Sequence, residues 1–199
     1  MNQEQRPRQL FSIGHSNHPL EKLLALLQRY QIDVVVDTRS HPRSRIAPQF
    51  DSRSLKTALR NAGVKYLYLG KELGGRPEGS EFYDAEGHVL YDRLAASPSF
   101  QSGLERLKRG ALSYRVAVLC SEESPEHCHR RLLIGRVLVT HGFVLHHIRG
   151  DGRLQTEAEL AQAEPAHEQG SLFSGSQEGT WKSTRSVSQR RQLLSSSER

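Results

Sequence analysis

The hydrophobic pattern changes period several times between residues 10 and 148. Leu10-Phe11-Ser12-Ile13 is an apolar run of strand length, and Val34-Val35-Val36 is a second whose β-branched content suits a buried strand. Between them Leu20, Leu23, Leu24 and Leu27 recur at helical spacing, with Ser16 or Asn17 as cap and Pro19 in the first turn. Asp51 is placed to cap a second helix with the face Leu55, Ala58, Leu59 and Ala62, closed by Gly63; Val64 to Leu69 then reads as a third strand. A long connection, Gly70 to Ala96, contains Gly74-Gly75-Arg76, and connections of this length usually carry function. Pro98, Phe100, Leu104 and Leu107 stripe another helix, and Val116 to Leu119 is a fourth strand. Ser124-Pro125-Glu126 predicts a helix start, with a cap, a proline at the first position and an acid near the positive dipole end. That helix continues through Leu133, Val137 and Leu138 to Gly142, and Phe143 to Ile148 is a fifth strand.

Strand–helix alternation repeated four times predicts the α/β class: a Rossmann-like, three-layer α/β/α domain with a mostly parallel five-stranded sheet over residues 1–150. Residues 151–199 form a second region. Leu154 to Ala163 reads as a short helix, and the Gly-, Ser- and Gln-rich stretch from Pro165 onward is too poor in apolar surface to offset its ordering entropy, so it reads as a disordered C-terminal tail.

Composition narrows the classes. The chain has 199 residues, two of them cysteine, which excludes a disulfide scaffold. No apolar run approaches the roughly 18–20 residues that span a bilayer, and MNQEQRPRQL has no apolar signal region. The expectation is a cytoplasmic protein with free thiols and no membrane partner. The net charge is +6, but unevenly placed: residues 1–150 carry +7, residues 151–179 carry −5, and residues 180–199 carry +4. A basic body fits a polyanion such as nucleic acid.

Ligands of open parallel sheets bind outside the carboxyl ends of the strands, so the residues just past each strand are the candidates. Strand one ends in Gly14-His15-Ser16, strand two in Asp37-Thr38-Arg39, and strand four in Cys120-Ser121-Glu122, while strand three leads to the Gly74-Gly75-Arg76 loop. With Pro42, Ser44, Leu73-Gly74-Gly75, and above all Leu119-Cys120-Ser121-Glu122 followed by Pro125 and Cys128-His129-Arg130, these pieces resemble the domain of unknown function 488 family over roughly residues 10–148. The resemblance implies an α/β fold and a shared site in those motifs, and supplies no reaction. The family's second-strand signature carries Val where this chain has Thr38.

Taken singly, Arg39 is suited to grip a phosphate with Asp37 orienting it or acting as a base, or the two form a structural ion pair. His41, Arg43 and Arg45 extend a phosphate-contacting strip, and Arg76 adds to it. His15 is placed for acid–base work. Cys120 and Cys128 are candidate thiolates, the latter in the first turn of a helix, but the field of Glu122, Glu123 and Glu126 opposes thiolate formation there. Glu122 near Asp37 would make a carboxylate pair suited to glycosidic bond cleavage. Cys128, His129 and Arg130 are expected to bind ligand or orient the loop. Cys120, Glu122, Cys128 and His129 could instead ligate a metal, but their spacing is not one of the familiar paired-cysteine zinc patterns, so no metal and no cofactor is expected.

In the tail, Gln169-Gly170-Ser171-Leu172-Phe173 matches the Gln-x-Ser-Leu-Phe pattern that docks on the replication sliding clamp, with Gln169 at the rim and Leu172 and Phe173 in an apolar pocket. Lys182, Arg185, Arg190 and Arg191 around Trp181 would add contact to DNA. The sequence thus points to a protein acting on or recognising nucleic acid or nucleotides in DNA repair or processing. Its catalytic residues would be His15, Asp37, Cys120 and Glu122, and its ligand-binding residues Ser16, Arg39, Arg43, Arg76, Cys128, His129 and Arg130. If catalytic, the activity is hydrolase- or glycosidase-like; the alternatives are an anion-binding or adaptor module, or a thiol or metal protein using Cys120 and Cys128.

Overall fold

A computed structural model describes residues 8–163 and 181–187. The five expected strands form in sequence: β1 (Arg8–Gly14), β2 (Val34–Asp37), β3 (Lys65–Tyr68), β4 (Val116–Cys120) and β5 (Phe143–Ile148). A sixth, β6 (Leu154–Thr156), pairs antiparallel with β5, and the sheet order is β3-β2-β4-β1-β5-β6. All other pairings are parallel.

Alternation along the strands sorts the core into two layers, because successive side chains point to opposite faces. Leu10, Val34, Val36, Val116 and Val118 face one layer, and Phe11, Ile13, Val35, Ala117 and Leu119 face the other. The second layer is covered by α1 (Leu20–Arg29), through Leu23 and Leu27, and by α2 (Ser52–Asn61), through Leu55 and Leu59. The first is covered by α3 (Gly70–Leu73), α4 (Tyr91–Ala96), α5 (Pro98–Ser113) and α6 (Arg136–Thr140). The long connection after β3 thus contains two short α-helices and a 3-10 turn, Ser80–Phe82, of its own. α5 starts as its sequence predicts, with Pro98 at its first position and the Ser97 hydroxyl accepting from the Phe100 N–H.

The structure corrects five expectations. Neither Ser16 nor Asn17 caps α1, whose cap position is Pro19 with no side-chain cap bond. The sheet has six strands rather than five, because Leu154-Gln155-Thr156 continues the sheet before the helix α7 (Glu157–Ala163) begins. Asp51 precedes α2 but gives it no side-chain cap; its carboxylate accepts the Ser44 N–H at 2.8 Å and ties down the preceding loop instead. No helix starts at Ser124-Pro125-Glu126. The Cys128 N–H closes a turn on the Pro125 carbonyl, and helical bonding begins at the Cys128 carbonyl with a π-helical segment, Arg130–Gly135, that runs into α6. Finally, residues 181–187, read in the sequence as tail, return to the domain. Trp181 packs edge-on against Tyr91, donates its indole N–H to the Leu132 carbonyl and lies under the Arg136 guanidinium. Lys182 bridges to Leu90 and pairs with Asp84 at 2.7 Å, so Trp181 and Lys182 are both held against the domain rather than on a free tail. Arg190 and Arg191 lie outside the described residues.

Candidate active site at the carboxyl edge of the sheet

Three neighbouring strands end side by side. Gly14 of β1 stands level with Cys120 of β4, and Asp37 of β2 is level with Leu119 on the other flank of β4. β1 and β2 run on into helices on one face, while β4 runs on toward α6 on the other, so their outgoing loops part at the strand ends, the place where open parallel sheets hold their ligands. The loop after β4 crosses directly over the end of β1, with the His15 N–H donating to the Cys120 carbonyl and the Ser16 N–H to that of Ser121. A side chain at position 14 would collide with the Glu122 carbonyl, which is why only glycine fits there.

The first cluster at these strand ends is closed on itself. Arg39 donates from Nε to Asp37 Oδ1 at 2.9 Å and from Nη2 to Oδ2 at 2.7 Å, from Nη2 also to the Phe50 carbonyl, and from Nη1 to His15 Nε2 at 2.9 Å. Asp37 accepts in addition the Arg39 N–H and the Tyr66 hydroxyl. Because an arginine can only donate, His15 Nε2 must be the acceptor, so its proton sits on Nδ1 and goes to the Ser16 carbonyl at 2.6 Å. The imidazole stacks on Phe50. Burial, with the Arg39 charge beside it, pushes the His15 pKa down to about 4. These three residues are brought together as expected, but in a structural role, since Arg39 is 4% exposed and Asp37 not exposed at all. Arg39 therefore offers no grip for a phosphate and Asp37 no free lone pair for catalysis. The expected Asp37–Glu122 pair does not form, because Asp37 is saturated by Arg39 and Tyr66 while Glu122 is exposed to solvent.

The second cluster is different in kind. The Sγ atoms of Cys120 and Cys128, both buried, lie 3.7 and 3.8 Å from Nδ1 of His129. The other ring nitrogen, Nε2, is 3.2 Å from the Thr38 carbonyl and donates its proton there, so Nδ1 turns toward the sulfurs. Gly75 packs on the same imidazole, leaving no room for a β-carbon at that position. The Cys120 thiol is held well below the ordinary thiol range by hydrogen bonding with Cys128 and then by the His129 and Arg130 charges, against the effect of burial. Cys128 is pushed the other way by burial and by its neighbour Cys120. For His129, burial opposes the charged ring, but Cys120 outweighs it and the pKa rises. The acidic loop acts on the two thiols unequally: Glu123 is tied to Arg149 and to the Gly150 N–H, while Glu122 adds to the effects that push Cys128 up.

Arg130, expected to bind ligand, is buried and internal. Its guanidinium donates to the Glu122 and Glu123 carbonyls and, from Nε, to Ser12 Oγ, holding the loop in shape. Ser12 in turn bonds His147, His147 bonds Glu157, and Glu157 pairs with the buried Arg131 at 2.7 Å. Ser12 and His147 were missed as site supports; their signal was a polar residue flanked by apolar ones in β1 and a histidine pair inside β5. Ser16 lies in the left-handed backbone region at the rim, with Arg43 and Arg76 exposed farther out. Gln169, Leu172 and Phe173 fall outside the described residues.

Comparison with known families matches residues 19–137 to the family described as Domain of unknown function DUF488. The chain belongs to that family. The DUF488 match takes in Asp37, Arg39, the Gly74–Gly75 turn and the whole of the Cys120 to Arg130 loop, and begins after His15. No curated protein and no solved structure matches the chain. Among the described residues no helix is long and apolar enough to cross a membrane.

Proposed function

We propose that this DUF488 protein is an enzyme acting on nucleotides or nucleic acid, with phosphate received at the rim of the sheet edge and the reactive groups supplied by Cys120, Cys128 and His129. The observation that supports this most is the placement of the rim arginines. Arg43, Arg45 and Arg76 are exposed with no carboxylate partner among the described residues, as are Arg53, Arg60 and Arg109, and what sets the first three apart is that they follow the Asp37–Arg39 segment and the Gly74–Gly75 turn in the chain. Unpaired guanidinium groups in a fork geometry suit a polyanion. Arg76 also lines a cavity of about 690 Å³ with His41, Lys71, Phe82 and Tyr83, cations and rings that suit a phosphate and a base, alongside Glu78 and Glu72, the latter paired with Arg106. This cavity backs onto the cluster through the Gly74–Gly75 turn, since Gly75 touches His129 and Arg76 follows it.

The test is fluorescence anisotropy with labelled single-stranded and duplex oligonucleotides across a salt series. Replacing Arg43, Arg45 and Arg76 together by alanine is expected to weaken binding and to reduce the logarithmic salt slope by about two to three, one per lost phosphate contact. Absence of binding to oligonucleotides and to free nucleotides at low salt overturns the reading. The Gln169–Phe173 peptide is proposed, on its sequence alone, to dock the protein on the sliding clamp. Clamp binding that survives Leu172→Ala/Phe173→Ala would remove that part.

A further inference from the structure

We propose that Cys120, Cys128 and His129 together hold one divalent metal ion of the zinc class. The idea deepens the reading above, whose reactive cluster it equips, and departs from the absence of a metal that the cysteine spacing suggested. The spacing along the chain is unfamiliar, but the spacing in space is not. Zinc–sulfur bonds of about 2.3 Å and zinc–nitrogen bonds of about 2.0–2.1 Å put the donor atoms of a tetrahedron about 3.5–3.8 Å apart. The two sulfurs stand 3.7 and 3.8 Å from Nδ1, and all three donor atoms fall within 4.8 Å of one another. They therefore outline one face of a tetrahedron.

Three further features fit. The Nε2–H bond to the Thr38 carbonyl is the outer-shell contact that fixes a ligating imidazole in its tautomer and aims the opposite lone pair at the ion. Two soft thiolates with one imidazole select zinc-class ions over magnesium or calcium. With the ion bound both sulfurs are thiolates and the protons of the cluster have left to solvent, so two thiolate charges cancel the divalent charge. The centre is then neutral in its buried setting, beside an Arg130 whose guanidinium is already engaged by backbone carbonyls. Among the described residues no fourth histidine, cysteine or carboxylate joins this group, which leaves the fourth position for water or substrate, the arrangement of catalytic rather than structural zinc. The other group of suitable side chains, Asp84, Glu86 and His88, already has a cation, because the Lys182 ammonium sits 2.7 Å from Asp84.

The experiment uses the full chain purified under reducing conditions, with metal content read by plasma mass spectrometry. Cobalt(II) is then titrated into the reduced, chelator-treated protein. About one equivalent of zinc is expected. The cobalt form should show the intense visible absorption of a tetrahedral site, together with thiolate-to-metal charge-transfer bands. Cys128→Ser and His129→Gln should each lose the charge-transfer bands or weaken cobalt binding by more than about tenfold. Circular dichroism of each variant separates loss of ligand from loss of fold. Wild-type protein that is folded, has both thiols reduced and takes up neither zinc nor cobalt overturns the proposal. Oligonucleotide binding measured on the same samples keeps the two readings apart. An ion bound without nucleic acid sinks only the substrate class, and nucleic acid bound without an ion sinks only the metal.

Discussion

Two histidine clusters lie within a few residues of each other at one sheet edge, and they have opposite chemical characters. Around His15 every strong donor meets an acceptor: Asp37 accepts from Arg39 and Tyr66, and His15 accepts from Arg39. Around His129 the two sulfurs stand 3.7 and 3.8 Å from Nδ1, and the three donor atoms all fall within 4.8 Å of one another. A saturated polar cluster contributes rigidity, because each member is worth most when its partners are already in place. A cluster whose lone pairs converge on one point retains chemical capacity. The Thr38 segment joins the two: it lies between Asp37 and Arg39 in the chain, and its carbonyl orients His129. The His15 cluster is thus the mount and the His129 cluster the instrument.

That contrast can be broken at its strong end first. Asp37→Asn leaves Arg39 buried without its counter-charge, a loss of about 3–5 kcal/mol. In a domain of this size the thermal midpoint should fall by on the order of 10 °C; a variant that melts with the wild type would show the pair to be dispensable.

The next largest effect follows pH. His15 has its pKa lowered from 6.5 to about 4 on folding, so the unfolded chain binds the extra proton first as pH falls. Its contribution is complete above pH 6.5 and is lost as pH falls toward 4, up to about 3 kcal/mol. Denaturant melts at intervals across this window should show stability falling with acid in the wild type and a flatter profile in His15→Gln. Equal slopes would place the titration elsewhere.

The smallest effect on stability belongs to the other cluster. Cys120→Ala should cost about 1 kcal/mol, the centre of the range for single substitutions. Yet in metal-free protein it should abolish alkylation by iodoacetamide at neutral pH, since burial, the largest of the effects that push Cys128 up, remains when Cys120 is gone. A Cys120→Ala protein as unstable as Asp37→Asn would erase the distinction between mount and instrument.

Much of this was legible in the residues. The change of hydrophobic period located five strands and the main helices, and the strand-end rule placed His15, Asp37 and Cys120 on one edge. Strand order was not legible. Only the insertion of β4 between β1 and β2 decides that Arg39 meets His15 and that His129 meets Thr38. The helix start at Ser124 satisfied every local rule and still failed, because the buried Arg130 draws the Glu122 and Glu123 carbonyls into a turn. β6 escaped notice because three residues carry no period. Trp181, the chain's one tryptophan, was a visible anchor in an otherwise polar stretch.

The π-helical turn of Arg130–Gly135 has a consequence for how this protein tolerates insertions and deletions. A π turn holds more residues than the 3.6 of an α-helix, so excising one residue from it would give a more regular helix with better local bonding. The same excision would rotate everything before it by about 100° relative to α6. Arg130 would swing off the Glu122 and Glu123 carbonyls, and His129 off Thr38. A shortened chain would therefore gain helix and lose the site, so the count of residues between Cys128 and α6 is itself under constraint, whatever side chains fill it.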